Sequence, residues 1–324
     1  MSEFDLIRLI RKRCAQSRGD VVLGIGDDAA LLQPAAGQQL VACTDTLVAD
    51  VHFPNGTAPE DIGWKSLAVN LSDLAAMGAT PAWAMLALTL PQANQNFVGR
   101  FAGGFAELAR KHDVALIGGD TTQGPLSVTV SVLGFVEGRA LLRSGARIGD
   151  AVFVTGTLGD AAAALHLLRD SGPGIRGSEA RQSMALFARL NRPEPRIAAG
   201  RALREIASAC IDVSDGLLAD LEHVCAASGV GAIVEAGVLP FSSAMLALFG
   251  ADERRAFALG GGDDYELCFT ASESSAQRVA DALAQVGCGI TRLGRIVAET
   301  GVRVRDTNGD MLEPSRRGWQ HFAP

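Results

Sequence analysis

Between Ser66 and Gly99 the chain runs for 34 residues with a single charged side chain, Asp73. No other stretch limits the fold so much, because a segment this poor in charge belongs to an interior. Gly78 divides it. Upstream, the spacing predicts a helix over 59–77, with Pro59 in its first turn and Gly78 at its end. Downstream, AWAMLALTL (82–90) reads as a buried strand. Asp73 shares a helix face with Ser66, Asn70 and Met77 at steps of three and four. A solvated face would carry several Lys, Glu or Arg. A solitary carboxylate among apolar residues has to be hydrogen-bonded, paired or metal-bound, since burying it alone is costly.

The elements around this stretch alternate. Phe4, Ile7, Ile10 and Cys14 give 2–17 a helical spacing. LVACTDTLVA (40–49) reads as a strand interrupted at its centre by Thr44-Asp45-Thr46. Residues 95–112 form a second helix, 114–120 a strand running into a glycine turn, and 126–138 a strand rich in β-branched residues. Beyond Gly149-Asp150, a strand (151–156) and a helix (158–170) precede a loop at 171–179. Helices follow to about 208, then strand-like and helical stretches to about 305. At 324 residues the chain suits two domains. The order predicts a mixed α+β (α/β) architecture with the boundary near 137–150. An S-D turn beside an apolar helix and a Gly-Gly-Asp turn occur in both halves, a slight sign of duplication.

Composition removes several functions. Apolar residues make up 48% and mean hydropathy is +0.19, as in a soluble globular protein. No apolar run approaches the ~20 residues of a membrane span, and no leader is expected at the start. Cysteines 14, 43, 210, 225, 268 and 288 lack metal-ligand spacing and read as reduced thiols of a cytoplasmic enzyme. The net charge is -7, and residues 21–120 hold ten acidic side chains against Lys65, Arg100, Arg110 and Lys111. With no basic stripe, nucleic acid is excluded as a partner. An acidic region that handles phosphate implies divalent cations as the bridge.

Gly24-Ile25-Gly26-Asp27-Asp28-Ala29 fits the G-x-G-x-x-A dinucleotide loop, but two aspartates would oppose a pyrophosphate and Pro34 cuts off the required helix. The pair is either an Asx-turn device or a cation site. Asp45 in its strand and Gly118-Gly119-Asp120 at a strand end add to it. With Asp73, five aspartates come from four separate elements, a donor set suited to a hard cation such as Mg²⁺. Further on, Asp212-Val213-Ser214-Asp215-Gly216 is either an ordinary helix cap or a site. Gly260-Gly261-Gly262-Asp263-Asp264-Tyr265-Glu266 lets backbone approach a ligand before its acids. Thr155-Gly156-Thr157-Leu158-Gly159-Asp160 suits either an anion-binding helix start or a simple cap. None of the three lysines (12, 65, 111) follows a G-x-x-x-x-G, and neither an H-R-D loop nor a G-x-S-x-G elbow is present. His52, just past the TDT segment, is the histidine of interest.

Together, GIGDDAALL, TDTLVADVHF, WKSLAVNLSDLAAMGATPAW, LIGGDTT, RSGARIGD, VTGTLGD, IDVSDGL, GGDDYEL and GWQHF resemble the thiamine-monophosphate kinase family, within the aminoimidazole-ribonucleotide synthetase-like superfamily. The resemblance runs in order from about residue 3 to 322. It implies a two-domain fold of that superfamily. Residues 1–137 would form a metal- and ATP-binding domain whose sheet joins its copy across a homodimer. Residues 138–324 would form an α/β domain completing the ATP and substrate sites. It implies ATP-dependent phosphorylation of thiamine monophosphate to thiamine diphosphate, assisted by several Mg²⁺ ions. Position by position, Asp28, Cys43, Thr44, Asp45, Asp73, Asp120, Asp212 and Asp215 correspond to metal ligands. Gly119, Asp120, Arg143 and Ser214 correspond to ATP contacts, and His52, Asp263 and Trp319 to the substrate pocket. Asp45, Asp73 and Asp120 would carry catalysis.

Two positions depart from the family: Cys43 stands where some relatives have serine, leaving its backbone carbonyl as the ligand, and Asp263 stands where glutamate is usual. Transfer between two phosphates meets a Coulomb repulsion of about 4 kcal/mol at 4 Å and an effective dielectric near 20. Metal clamping and positioning therefore replace a general base, because the attacking oxygen is already ionised. The competing readings are a sister synthetase of the superfamily, a metal-dependent phosphohydrolase and a catalytically silent nucleotide-binding protein.

Overall fold

The structure, a computed structural model, describes residues 2–26, 28–171 and 180–321. Asp27 and positions 172–179 of the expected loop lie outside the described residues. The chain packs as two units, Met1–Leu74 with Ala79–Gly138, and Ala75–Gly78 with Arg139–Pro324.

In the first unit, α1 (Glu3–Arg13) starts at Ser2, which exchanges hydrogen bonds with Asp5 in a reciprocal cap. It buries Leu6 and Ile10, while Phe4, expected on the apolar face, is exposed. The G-x-G segment is no nucleotide loop. It joins two short strands, β1 (Val21–Leu23) and β2 (Leu31–Leu32), as an antiparallel hairpin. The main sheet contains β3 (Gln39–Val48), β4 (Thr80–Leu90), β5 (Ala115–Gln123) and β6 (Ser127–Val136) in the order β3-β6-β4-β5, with only β4 and β5 parallel. The predicted break at Thr44-Asp45-Thr46 does not exist: β3 pairs with β6 without interruption from Gln39 to Val48. Alternation explains this, since polar residues at 44 and 46 face away from the core and leave the ladder intact.

One face of this sheet is apolar, with Leu47, Val128, Val130, Val132, Leu86 and Leu88 buried. Its other face is open, with Thr44, Thr46, Met85 and Ala87 exposed. Two helices, α2 (Pro59–Ala76) and α3 (Gln95–Lys111), touch backbone to backbone. A Cβ on Gly63 would stand 2.1 Å from the Phe101 carbonyl oxygen, and one on Gly104 1.8 Å from that of Glu60. Only glycine permits so close a crossing. Residues 62–70 of α2 are all buried, 66–70 as the charge-poor sequence demanded and Lys65 with them.

The second unit is built on a seven-stranded mixed sheet. Its strands are β7 (Ala151–Thr155), β8 (Ala209–Asp212), β9 (Gly231–Glu235), β10 (Leu267–Ala271), β11 (Ile290–Val297), β12 (Gly301–Arg305) and β13 (Met311–Leu312). They run in the order β13-β12-β9-β11-β7-β10-β8, and only β9 and β12 are parallel. The helices are α4 (Asp160–Ser171), α5 (Ala180–Asn191), α6 (Ile197–Leu203), α7 (Leu217–Ser228), α8 (Ser243–Leu248), α9 (Ala251–Gly260) and α10 (Ala276–Gln285). Leu217, Leu218, Leu221 and Val224 of α7 pack on Val152, Val154 and Ile211 of the sheet. Because β10 runs antiparallel to both β7 and β8, its start lies beside their ends. The loops 156–159, 213–216 and 261–266 therefore emerge at one end of the sheet. No helix among the described residues is long and apolar enough to cross a membrane.

Candidate active site

In the first unit, β3 and α2 bring Asp45 and Asp73 into hydrogen-bond contact. Burial pushes the Asp45 carboxyl above the usual carboxylate range, and the hydrogen bond with Asp73 draws it partly back. Two carboxyls this close resist ionising together, so the pair either holds a proton or needs a cation. Next to it, the Cys43 thiol donates to the Asn70 carbonyl at 3.3 Å, and the Asn70 amide donates to the Ser66 carbonyl at 3.1 Å. The face Ser66–Asn70–Asp73 read from the sequence is thus turned to β3. Thr44 Oγ1 donates to the Val130 carbonyl and accepts from Ser131 Oγ, so its side chain joins the sheet. His52 follows β3 closely. Its Nδ1 accepts the Val48 N–H at 3.0 Å, while buried Lys65 donates its ammonium to the His52 carbonyl at 3.2 Å.

Asp120 is elsewhere on the same sheet. Asp45, Val130, Leu86 and Gly119 form one register row, and Thr46, Thr129, Ala87 and Asp120 the next. Asp45 therefore lies on the helix-covered face of one edge strand. Asp120 lies on the open face of the other edge strand, about 14 Å away at three strand spacings. Gly119 is held at φ +149 with Leu86 so near that a Cβ would stand 1.9 Å from its carbonyl oxygen. The Asp120 carboxylate accepts the Thr121 N–H at 2.8 Å. Asp28 is exposed in the turn between β1 and β2. Among the described residues, no three His, Cys, Asp or Glu side chains gather as a ready cation site. What the first unit does provide is a half-buried carboxyl pair, hard oxygen donors that fit Mg²⁺.

In the second unit the structure gathers the residues that the sequence left scattered. Asp212 ends β8 and is buried. The Ser214 carbonyl accepts the Asp263 N–H at 2.8 Å, and the Asp215 carbonyl accepts the Trp319 N–H at 2.9 Å. Asp263 adopts a left-handed backbone (φ 67) and accepts the Tyr265 hydroxyl at 2.8 Å. Burial pushes the Asp215 carboxyl up; His321, His223 and Arg143 oppose this and Asp263 adds to it. Arg143, otherwise an exposed loop residue, thus faces this cluster electrostatically. Trp319 is half exposed, with the Arg316 guanidinium 5.5 Å from its ring centre.

Asp220 escaped the sequence reading, while Asp264 and Glu266, read there as acids beside a ligand, turn inward to the protein. Asp220 accepts the backbone N–H groups of Ser214, Asp215 and Gly216 on one oxygen. Asp264 is fully buried and takes the Gly159 N–H on both oxygens, each at 2.9 Å. Glu266 is fully buried and bound by Arg189, Arg196 and the Thr155 hydroxyl. The 155–160 turn is therefore tied to the protein's own carboxylates: Thr157 and Ser242 also donate to Asp160. A signal existed for Asp220, the lone acid among Leu217, Leu218 and Leu221, by the reasoning applied to Asp73.

The two folded units and their acid-bearing loops have relatives. Residues 26–136 match the family model described as AIR synthase related protein, N-terminal domain, and residues 147–307 match its C-terminal domain counterpart. Thiamine-monophosphate kinase of Escherichia coli (strain K12) is 45% identical over 99% of this chain and 98% of its own. The crystal structure of thiamine-monophosphate kinase from Stenotrophomonas maltophilia K279a is 51% identical, with a TM-score of 0.88 over 96% of this chain and 98% of that one. A structure described as AaThiL complexed with AMPPCP and TMP is 34% identical, with a TM-score of 0.78 over 99% of this chain and 97% of that one. The chain belongs to the AIR synthase related family and, within it, to the thiamine-monophosphate kinases.

Proposed function

We propose that this chain transfers the terminal phosphoryl group of ATP to the phosphate of thiamine monophosphate, releasing ADP and thiamine diphosphate, in the cytoplasm. The observation that carries this reading is the Asp45–Asp73 carboxyl pair, set in the charge-poor core of a chain that is similar over its whole length to thiamine-monophosphate kinases. The AMPPCP and TMP bound by one solved relative support the same pair of substrates. An oxygen of the substrate phosphate attacks the γ-phosphorus in line, and the bond to the β–γ bridging oxygen breaks. That oxygen is ionised near neutral pH, so the chain needs no base and forms no phospho-enzyme.

Mg²⁺ ions, when bound, would neutralise the two phosphate groups that must approach each other. In the first unit, Asp28, Thr44, Asp45, Asp73, Asp120 and the Cys43 carbonyl are the residues that would hold them; in the second, Asp212 and Asp215. Gly119, Asp120, Arg143 and Ser214 are assigned to ATP. His52, Asp263 and Trp319 are assigned to thiamine monophosphate, the indole offering a stacking face to its rings. A coupled assay of ADP release from ATP and Mg²⁺ is expected to depend on added thiamine monophosphate. Phosphate release without it would instead favour a hydrolase.

The homodimer belongs to the same proposal. β3 is an edge strand of the sheet, which also has an open face, and both invite a second copy. One chain holds Asp120 on the opposite face and edge from Asp45, so a copy whose β5 lies along β3 would bring its own Asp120 to this edge, on the face that carries Thr44, and add a carboxylate to the set. Mixed dimers of Asp45→Asn and Asp120→Asn chains are then expected to recover about a quarter of wild-type activity, since half the dimers are mixed and each keeps one intact site. No recovery on co-expression would place the whole carboxylate set within one chain.

A further inference from the structure

Asp220 lies in the first turn of α7 and is 2% exposed. Its Oδ2 accepts the N–H groups of Ser214 at 3.1 Å, Asp215 at 3.1 Å and Gly216 at 3.0 Å. The 214–216 turn is therefore gripped from inside by one side chain. Two of its carbonyls bond elsewhere, Ser214 to the Asp263 N–H at 2.8 Å and Asp215 to the Trp319 N–H at 2.9 Å, while the Gly216 carbonyl accepts the Asp220 N–H at 3.0 Å. The Val213 carbonyl accepts the Tyr265 N–H at 2.8 Å, and the Tyr265 hydroxyl reaches Asp263 at 2.8 Å. The turn is thus bonded through both its N–H and its C=O groups. Gly216 sits at φ +126, and a Cβ there would stand 3.1 Å from the Gly260 carbonyl carbon and the Gly261 carbonyl oxygen.

We propose that Asp220 is a positioning residue for phosphoryl transfer: it touches neither substrate but sets Ser214, Asp215, Asp263 and Trp319 as one assembly. The inference rests on the kinase reading, in which Ser214 serves ATP and Asp263 and Trp319 serve thiamine monophosphate. A side chain that only supported the fold would change the yield of folded protein and leave the kinetic constants of the folded fraction intact. A clamp shared by both substrate contacts instead predicts that KM for ATP and KM for thiamine monophosphate rise together. Small displacements of positioned groups cost about 100-fold.

The test begins with wild-type protein and thiamine monophosphate, ATP and Mg²⁺; absence of turnover refutes the kinase reading itself. Hydrogen exchange on wild-type protein tests the clamp separately, because the amides of Ser214, Asp215 and Gly216 are expected to be strongly protected. Free exchange at those three overturns the proposal whatever the activity. Asp220→Ala is expected to unfold cooperatively, to lose about 100-fold in kcat/KM and to show both KM values raised. Asp220→Asn keeps an acceptor oxygen in place and is expected to restore activity to within about fivefold of wild type. If the alanine variant does not fold, Asp220→Ser takes its place with the same expectation. A folded alanine or serine variant with wild-type constants overturns the assignment, as does an asparagine variant as weak as alanine. Failure of all three to fold makes Asp220 a structural residue and overturns it equally.

Discussion

Asp45→Asn and Asp73→Asn are each expected to lower the rate of thiamine monophosphate phosphorylation by about a thousandfold or more while leaving the protein folded. The two halves of this expectation have different origins. The activity loss follows from charge: an amide keeps the shape of the carboxyl but cannot neutralise a cation, so the approach of two phosphates loses its counter-charge. Retention of the fold follows from burial. Burial already pushes the Asp45 carboxyl toward its neutral form, and Asp73 meets it through a hydrogen bond that an amide can also make. Neither substitution opens a cavity, and each removes a half-buried charge, so the metal-free melting temperature is expected to stay at or above that of wild type. Adding Mg²⁺ should raise the melting temperature of wild-type protein by ligand linkage, and by more than that of either variant. Near-wild-type turnover by either variant sinks the carboxyl-pair reading. A loss of cooperative unfolding would reassign the pair to structure.

Asp73 was legible because it stands alone. One charge in 34 residues has few explanations, and helical spacing already placed Ser66 and Asn70 on its face. The helix limits came from Pro59 and Gly78, which act locally. Strand order was not legible, since nothing local says that β3 and β5 occupy opposite edges of one sheet. Hence Asp45 and Asp120, which look alike as acids in strands, end on different faces about 14 Å apart. The reading of Thr44-Asp45-Thr46 as a break weighed polarity over alternation, and the ladder shows that alternation governs. Gly260–Glu266 was misjudged for a non-local reason. Its last acids look like ligand groups, but the arginines that claim Glu266 lie 77 and 70 residues upstream on other elements. Only the folded chain shows that Asp263 stays partly exposed while buried Asp264 and Glu266 hold the turn down.

Arg196→Ala is expected to destabilise the protein by about 3 kcal/mol, a fall in melting temperature on the order of 10 °C. Glu266 has no exposure to water and sits in a turn whose Gly156 leaves no room, since a Cβ there would lie 2.2 Å from its Oε1. Burial pushes its carboxyl up, but the hydrogen bonds and charge of Arg196, with Arg189 and Thr155, hold it below the usual carboxylate range. Removing Arg196 leaves that charge with Arg189, at 2.7 Å, as its remaining cation, hence a loss at the lower end of those for broken buried pairs. Glu266→Gln makes the complementary change and leaves two guanidiniums facing one neutral amide. The double variant should lose less than the sum of the two, because the pair is coupled. The pH dependence has a definite sign. A carboxyl whose folded value lies below its unfolded one contributes stability above the unfolded value and loses it as pH falls through the folded one. Wild-type protein should therefore lose stability on acidification below about pH 4.5, and Glu266→Gln should lose less over that window. Because the Glu266 backbone carbonyl also accepts the Val213 N–H at 2.8 Å, loosening this network reaches the turn that carries Ser214 and Asp215. Folded Arg196→Ala protein is accordingly expected to show raised KM values as well as a lower melting temperature. Denaturant titration and steady-state kinetics on the same preparation separate the two effects, and an unchanged midpoint would refute the buried-pair account.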